Sequence, residues 1–260
     1  MVYIYGDSGD NTLSGTDLPE TLDGGAGNDF LFGGGGSDRV FGRDGDDYIV
    51  DNLGNDSLFG GNGNDTLSGR DGNDYISGDD GNDKISGNNG DDYLRGSYGN
   101  DSLEGFSGDD TIVGGSEDDL IRGDYTLFGV AGNDSLIGGL GADTIDSSDI
   151  FWEGKDTFRY NSTLDSTPSS RDSIGFQVGT DKIDLSLIDS NNNVSGNQAF
   201  DFIGTKSFYP TGTNDNGQLR YDAANNLIQA EINGDGDMTV DLEIKSLIDL
   251  DSLSKSDFIM

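Results

Sequence analysis

The chain has 260 residues, with 50 acidic and 14 basic side chains, a formal net charge of −36, no Cys and no His. This balance excludes nucleic acid and an anionic membrane surface as partners. The missing residue types exclude disulfides, thiolate and imidazole metal sites, and general-base chemistry by His.

The chain opens MVYIYGDSGD, which has neither the basic region nor the apolar region of a secretory leader. No later stretch approaches the roughly 20 apolar residues of a membrane span. Gly6-Asp7-Ser8-Gly9 has the form of the nucleophile motif of trypsin-like proteases, but without His there is no triad. The same four residues fall into register with a nine-residue repeat. That repeat runs unbroken from Gly6 to Arg122, passes through a six-residue unit at Gly123–Phe128 and resumes with two units at Gly129 and Gly138. Each unit opens on Gly and has Gly at the fourth place, Asp at the sixth and an aliphatic residue at the eighth. The aliphatic column is Leu13, Leu22, Leu31, Val40, Ile49, Leu58, Leu67, Ile76, Ile85, Leu94, Leu103, Ile112, Ile121, Leu127, Leu136 and Ile145. The acidic column is Asp29, Asp38, Asp47, Asp56, Asp65, Asp74, Asp83, Asp92, Asp101, Asp110, Asp119, Asp134 and Asp143. Asn11 and Glu20 hold that place in the first two units, Asp51 replaces an opening Gly, and Glu117 replaces a fourth-place Gly.

A period of nine predicts a short strand of three residues, such as Thr66-Leu67-Ser68, with the middle side chain inward. Six residues remain for a turn, where glycines permit positive φ and close backbone approach. Two units make a coil of ~18 residues, so alternate units stack on one side about 4.8 Å apart, the spacing of neighbouring strands. Same-side carboxylates would then form a repulsive ladder, which a divalent cation between turns resolves. Oxygen-only ligands select a hard cation, and the loose geometry suits Ca²⁺ better than Mg²⁺. A single GGxGxDxUx match to the calcium β-helix repeat would be a weak signal; about fifteen in register are a strong one.

The stretch resembles the hemolysin-type RTX calcium-binding repeats. That resemblance implies a parallel β-roll in which several Ca²⁺ ions sit between same-side turns. Both turns then give their sixth-place Asp, so Asp65 pairs with Asp47 and Asp83, and Asp74 with Asp56 and Asp92. It also implies backbone carbonyl ligands from the first four places of each unit. These are Gly24, Gly27, Gly33, Gly36, Gly42, Gly45, Gly60, Gly63, Gly69, Gly72, Gly78, Gly81, Gly87, Gly90, Gly96, Gly99, Gly105 and Gly108. Asn11, Glu20, Asp51, Glu117 and the shortened Gly123 unit interrupt the pattern and the sites expected from it.

After Asp146 the period disappears, which sets an expected boundary between a roll at 1–148 and a second unit at 149–260. Phe151 to Asp189 resembles the capping region that follows the repeats in serralysin-type metalloproteases. The matching pieces are Asp156-Thr157-Phe158, Asp165-Ser166-Thr167-Pro168, Arg171-Asp172-Ser173-Ile174 and Asp181-Lys182-Ile183-Asp184-Leu185; Ile174-Gly175-Phe176 is one residue short of the family pattern. From Gly217 to Ile244 apolar and polar residues alternate, predicting antiparallel strands joined at Ala223-Ala224-Asn225-Asn226 and at Asn233-Gly234-Asp235-Gly236. The segment from Glu231 to Leu242 half-matches an EF-hand loop but has Leu242 where the loop needs Glu, so a plain hairpin and an extra Ca²⁺ at Asn233–Asp237 stand as alternatives. The final Asp257-Phe258-Ile259-Met260 is similar to the uncleaved type I secretion signal of the family and equally suits a last sheet strand.

The expected fold is therefore all-β: a parallel β-roll followed by an antiparallel, sandwich-like cap. The expected role is the calcium-binding, non-catalytic C-terminal part of a secreted protease- or lipase-like bacterial enzyme. It would be exported by a type I machinery without an N-terminal signal peptide, and joined to a catalytic domain outside this chain. The alternative is a carbohydrate-binding module similar to the repeat modules of mannuronan epimerases, with a glycan as partner. The outward aromatics Phe30, Phe32, Phe41, Tyr48, Phe59, Tyr75 and Tyr93 either pack along the strand face or form a binding stripe.

Overall fold

The computed structural model describes residues 2–124, 132–147, 154–162, 165–167, 170–175, 180–188, 201–204, 218–222, 224–231, 242–246 and 253–260. Among these the chain is almost wholly β, with one 3₁₀ turn at Lys255–Asp257. It winds as a parallel solenoid in which successive units alternate between two sheets. The first sheet stacks Val2–Tyr5, Glu20–Ala26, Arg39–Asp44, Ser57–Asn62, Tyr75–Asp80, Tyr93–Tyr98, Thr111–Ser116, Ser135–Leu140, Thr157–Arg159, Lys182–Asp184 and Phe258–Ile259. The second stacks Thr12–Ser14, Phe30–Phe32, Tyr48–Val50, Thr66–Asp71, Lys84–Asn89, Ser102–Ser107, Leu120–Arg122, Thr144–Asp146 and Ser173–Gly175, then Leu242–Ser246, Leu227–Glu231, Gln218–Asp222 and Asp201–Gly204.

The register is an unbroken column of apolar residues down each sheet. In the first it runs Ile4, Leu22, Val40, Leu58, Ile76, Leu94, Ile112, Leu136, Phe158, Ile183, Phe258. In the second it runs Leu13, Leu31, Ile49, Leu67, Ile85, Leu103, Ile121, Ile145, Ile174. One inward side chain per unit suffices because the two columns face each other across a thin core. The column extends the sequence reading by one residue at the start, Ile4, while Leu127 lies outside the described residues. Both sheets run on past residue 148, and larger side chains (Phe158, Tyr160, Phe258) enter the core there.

Five roll strands, Thr12–Ser14, Phe30–Phe32, Tyr48–Val50, Leu120–Arg122 and Thr144–Asp146, have the three residues the period predicts, and the others are longer. Thr66–Asp71 carries on through the opening Gly69 of the next unit and pairs again at Arg70 and Asp71. In the longer strands the reason is a left-handed residue at the second place of the following unit. Arg43, Arg70, Asp79, Asn88, Ser97 and Phe106 have φ between 74 and 98°, which turns the chain while keeping the ladder. The fourth place needs Gly more strictly: Gly72 has φ 140°, and a Cβ there would fall 1.3 Å from the Gly54 carbonyl oxygen. The expected antiparallel strands also form. Gln218–Asp222 pairs antiparallel with Leu227–Glu231 across Asp222 and Leu227, and that strand pairs antiparallel with Leu242–Ser246.

Candidate metal centres

Every sixth-place residue stands two positions before an inward aliphatic, so the register that aligns the core also aligns the carboxylates. The backbone N–H at this place donates to Oδ1 of the equivalent Asp one coil further on. Asp47 donates to Asp65 at 2.7 Å, Asp65 to Asp83 at 2.7 Å, Asp56 to Asp74 at 2.8 Å and Asp74 to Asp92 at 2.8 Å. The column aspartates from Asp29 to Asp143 are only 1–3% exposed. In each of them Oδ2 is buried with no hydrogen-bond partner.

The backbone around those oxygens is shaped by the opening glycines. A Cβ at Gly60 would fall 2.2 Å from Asp65 Oδ2 and 2.7 Å from the Gly78 carbonyl oxygen. At Gly96 it would fall 2.1 Å from Asp101 Oδ2 and 2.6 Å from the Gly114 carbonyl oxygen. The opening Gly thus leaves a cradle lined by one unpartnered carboxylate oxygen and one peptide carbonyl. The fourth-place carbonyls face the next coil instead: Gly63 O lies 1.7 Å from where a Cβ on Gly81 would be.

Burial sets the electrostatics. It pushes Asp47, Asp56, Asp74, Asp83 and Asp143 up to about 6, Asp65, Asp92 and Asp101 to about 7, Asp110 and Asp119 to about 8, and Asp134 to about 9. The N–H donated to each carboxylate opposes the shift and neighbouring carboxylates mostly add to it. Asp29 and Asp38, nearer the open end, are also raised by burial. A buried anion with an unsatisfied oxygen is costly, and it is relieved by a proton or by a cation. The donor set here is oxygen alone, which fits a hard cation such as Ca²⁺.

The ladder runs further than the repeat. Asp134 N–H donates to Asp156 Oδ1 at 2.9 Å, Asp143 N–H to Asp172 Oδ1 at 3.0 Å, and Asp156 N–H to Asp181 Oδ1 at 3.3 Å. These three acceptors lie outside the acidic column that the nine-residue period picks out. Gly154-Lys155-Asp156-Thr157-Phe158 and Gly179-Thr180-Asp181-Lys182-Ile183 both keep Gly-x-Asp-x-apolar, but irregular spacing hides them. Asp172 has the same unpartnered Oδ2, and burial pushes it to about 8. Burial, then the charges of Asp172 and Asp143, raise the Tyr160 hydroxyl well above its ordinary range.

The interruptions differ from one another. Asn11 Oδ1 accepts the Asp7 N–H at 2.6 Å, and the Glu20 carboxylate accepts from the Thr16 N–H at 3.0 Å and hydroxyl at 2.6 Å. The first two turns therefore satisfy their sixth-place side chains internally. Glu117 keeps the left-handed conformation of its place, φ 73°, and accepts the Gly99 N–H at 2.9 Å. Asp124, in the shortened unit, accepts the Gly132 N–H at 2.6 Å. Asp51 is fully buried, and one oxygen each from Asp38, Asp51 and Asp56 lie within 4.8 Å of one another.

The outward aromatics pack on each other. Phe41 and Phe59 stack at 5.0 Å, Phe59 and Tyr75 lie 5.7 Å apart, and Tyr75 and Tyr93 stack at 5.3 Å on the first sheet; Phe30 and Phe32 flank Tyr48 on the second. The half-matched EF-hand loop at Asn233–Asp237 lies outside the described residues.

Residues 3–17 match the family model of the RTX calcium-binding nonapeptide repeat (4 copies). Among curated proteins, none matches the chain. One similar solved structure is the solution structure of the AlgE6R3 subunit from the Azotobacter vinelandii mannuronan C5-epimerase, at 21% identity over 66% of this chain and 78% of that chain, with a TM-score of 0.38. The family model of the peptidase M10 serralysin C terminal matches everything from residue 20 to residue 260, and the chain belongs to that family.

Proposed function

We propose that this chain is a calcium-binding, non-catalytic module that folds when Ca²⁺ enters the cradles between same-side turns. The ligands are the Oδ2 atoms of Asp29, Asp38, Asp47, Asp56, Asp65, Asp74, Asp83, Asp92, Asp101, Asp110, Asp119, Asp134, Asp143 and Asp172, with opening-glycine carbonyls beside them. The observation that carries this reading is the unpartnered, buried Oδ2 repeated at each of those positions. Without a cation, each coil adds another buried carboxylate to the same ladder. With one, ion binding becomes folding free energy.

In this reading the module belongs to a secreted protease- or lipase-like enzyme. It stays unfolded in a calcium-poor cytoplasm, passes a type I exporter, and folds outside. Residues 149–260 act as the cap, and the C-terminal tail addresses the exporter while also serving as the last strand of the first sheet. The decisive measurement is far-UV circular dichroism of the full chain in chelator and on Ca²⁺ titration. The β signal should be absent in chelator and appear at roughly 0.1–1 mM Ca²⁺, the range of extracellular modules; a β spectrum indifferent to chelator overturns the reading. The stacked aromatics from Phe41 to Tyr93, with the Arg43 guanidinium 4.7 Å from the Phe41 ring centre, favour a glycan as a second partner. Glycan-array binding that is present with Ca²⁺ and lost in chelator would support this.

A further inference from the structure

Asp51 occupies a position the repeat reserves for glycine, and its carboxylate points the wrong way for a passive replacement. At the regular opening glycines the atom nearest to where a Cβ would stand is the unit's own sixth-place Oδ2, as Asp65 Oδ2 is at Gly60. At Gly33 the three nearest atoms all belong to Asp51, with Oδ2 at 1.9 Å and Oδ1 at 2.6 Å. The Asp51 side chain therefore reaches back one coil into the cradle bounded by Gly33 and Asp38. It is 0% exposed, and its Oδ1 accepts the Asn52 N–H at 2.9 Å. Its Oδ2 has no partner, and neither has Oδ2 of Asp38 or of Asp56. Three carboxylates thus converge within 4.8 Å. The four ion pairs of the described residues, Arg43–Asp23, Arg122–Glu104, Arg159–Asp184 and Arg171–Glu243, all lie elsewhere.

We propose that Asp38, Asp51 and Asp56 form a three-carboxylate cation centre, distinct from the regular sites with one carboxylate from each of two turns, which binds a hard cation more tightly and favours a higher cation charge. This rests on the calcium reading of the ladder. The physical reason is ligand charge: adding a carboxylate to an oxygen site raises its affinity for hard cations, and ligand charge count is one of the two variables that tune calcium sites. The added anion also increases the attraction for a trivalent ion more than for a divalent one, since the Coulomb energy scales with the product of the charges.

The test keeps the protein folded throughout. Tb³⁺ is titrated into the Ca²⁺-saturated full chain, and Tb³⁺ luminescence and released Ca²⁺ are both followed. One equivalent should exchange at a Tb³⁺ concentration roughly tenfold or more below that needed for the rest, the scale expected from one extra charged ligand. Asp51→Gly, which restores the repeat's own residue, and Asp51→Asn, which keeps the shape, should both fold in Ca²⁺ and lose that first phase. A first phase that survives in Asp51→Gly, or that is missing from the unsubstituted chain, overturns the proposal. Should Asp51→Asn misfold, Asp51→Gly decides alone. Failure of the calcium reading itself would look different, as a chain whose β signal ignores chelator with or without Asp51.

Discussion

The two ends of the solenoid finish the same parallel ladders in different ways. At the N-terminal end the apolar columns stop at Ile4 and Leu13, which are only partly buried, and Val2, Tyr3 and Tyr5 are exposed at 55–67%. There the sixth-place side chains Asn11 and Glu20 are closed by hydrogen bonds within their own turns. At the C-terminal end Phe158, Tyr160, Ile174, Ile183 and Leu185 are fully or almost fully buried, Phe258 pairs with Ile183, and antiparallel strands cover the last coil. The final carboxylates are wired into that cover. Asp172 N–H donates to Ser166 Oγ at 2.9 Å, Ser166 Oγ donates to the Glu243 carbonyl at 2.6 Å, and Gln229 donates to the Glu243 carboxylate at 2.6 Å, which also pairs with Arg171. On the other ladder Ser147 Oγ donates to Asp181 Oδ2 at 3.2 Å. The C-terminal end therefore holds itself by apolar packing, neutral donors and one ion pair. The N-terminal end is an open edge with little apolar cover, the expected position of a terminal repeat.

Removing each end in turn tests that contrast most severely. A fragment of residues 1–146 should show no Ca²⁺-induced β signal, even though it keeps almost every ladder carboxylate. A fragment of residues 20–260 should fold with a Ca²⁺ midpoint within roughly threefold of the full chain, because nearest-neighbour coupling confines the loss to one end. Equal midpoints for the two fragments, read by circular dichroism, would dissolve the asymmetry.

Single core truncations sharpen it. Ile183→Ala removes a fully buried side chain from the closed end and should cost about 2–5 kcal/mol in Ca²⁺-loaded denaturant melts. Ile4→Ala at the open end should cost under about 1 kcal/mol, since little burial is lost. A larger loss at Ile4 would mean that the open end carries more of the stability than its burial indicates.

A smaller effect is expected from the ladder. Asp74→Ala removes a carboxylate with a ladder partner on each side, Asp56 and Asp92. It should raise the Ca²⁺ midpoint about tenfold, a loss of ~1.4 kcal/mol. Asp29→Ala leaves the Asn11 N–H without its acceptor but has only one acidic neighbour in the ladder, Asp47; its midpoint should rise about two- to threefold. Calcium titrations of the two variants showing equal or reversed shifts would count against coupling between coils.

The mildest expected effect is on pH. The column carboxylates from Asp47 to Asp143 have folded values raised to about 6–9 by burial. A raised carboxylate contributes stability that is fully present below its ordinary value near 3.8 and is lost as pH rises through the folded value. Acid therefore favours the metal-free fold. In the proposed reading the chain is unfolded in chelator, so its carboxylates titrate near their ordinary value and are already ionised between pH 6 and 8. The Ca²⁺ midpoint should therefore change less than about twofold between pH 8 and 6, while acidification in chelator to below about pH 4 should bring back part of the β signal, read by circular dichroism. A midpoint that rises severalfold over that window, with proton release on binding, would show that the metal-free carboxylates are already buried in a folded ladder.

The sequence by itself determined the solenoid, its inward columns and the thirteen-member acidic column from Asp29 to Asp143, because a strict period makes one unit's local geometry the geometry of all. It also placed the turn between Asp222 and Leu227. In the continuation, Asp156 and Asp181 were legible only as isolated Gly-x-Asp-x-apolar fragments and Asp172, with Ser170 in the Gly place, not even as that, since chain stretches of unequal length separate them and registration comes from strand pairing. Only the tertiary structure separated the tasks of the two glycines, one making room for a carboxylate oxygen and the other for a carbonyl of the preceding coil. It alone turned Asp51 from a broken repeat into a third carboxylate beside Asp38 and Asp56. A substitution's local meaning depends on which coil lies against it, and residues eighteen apart come within hydrogen-bonding distance only after the coil has closed.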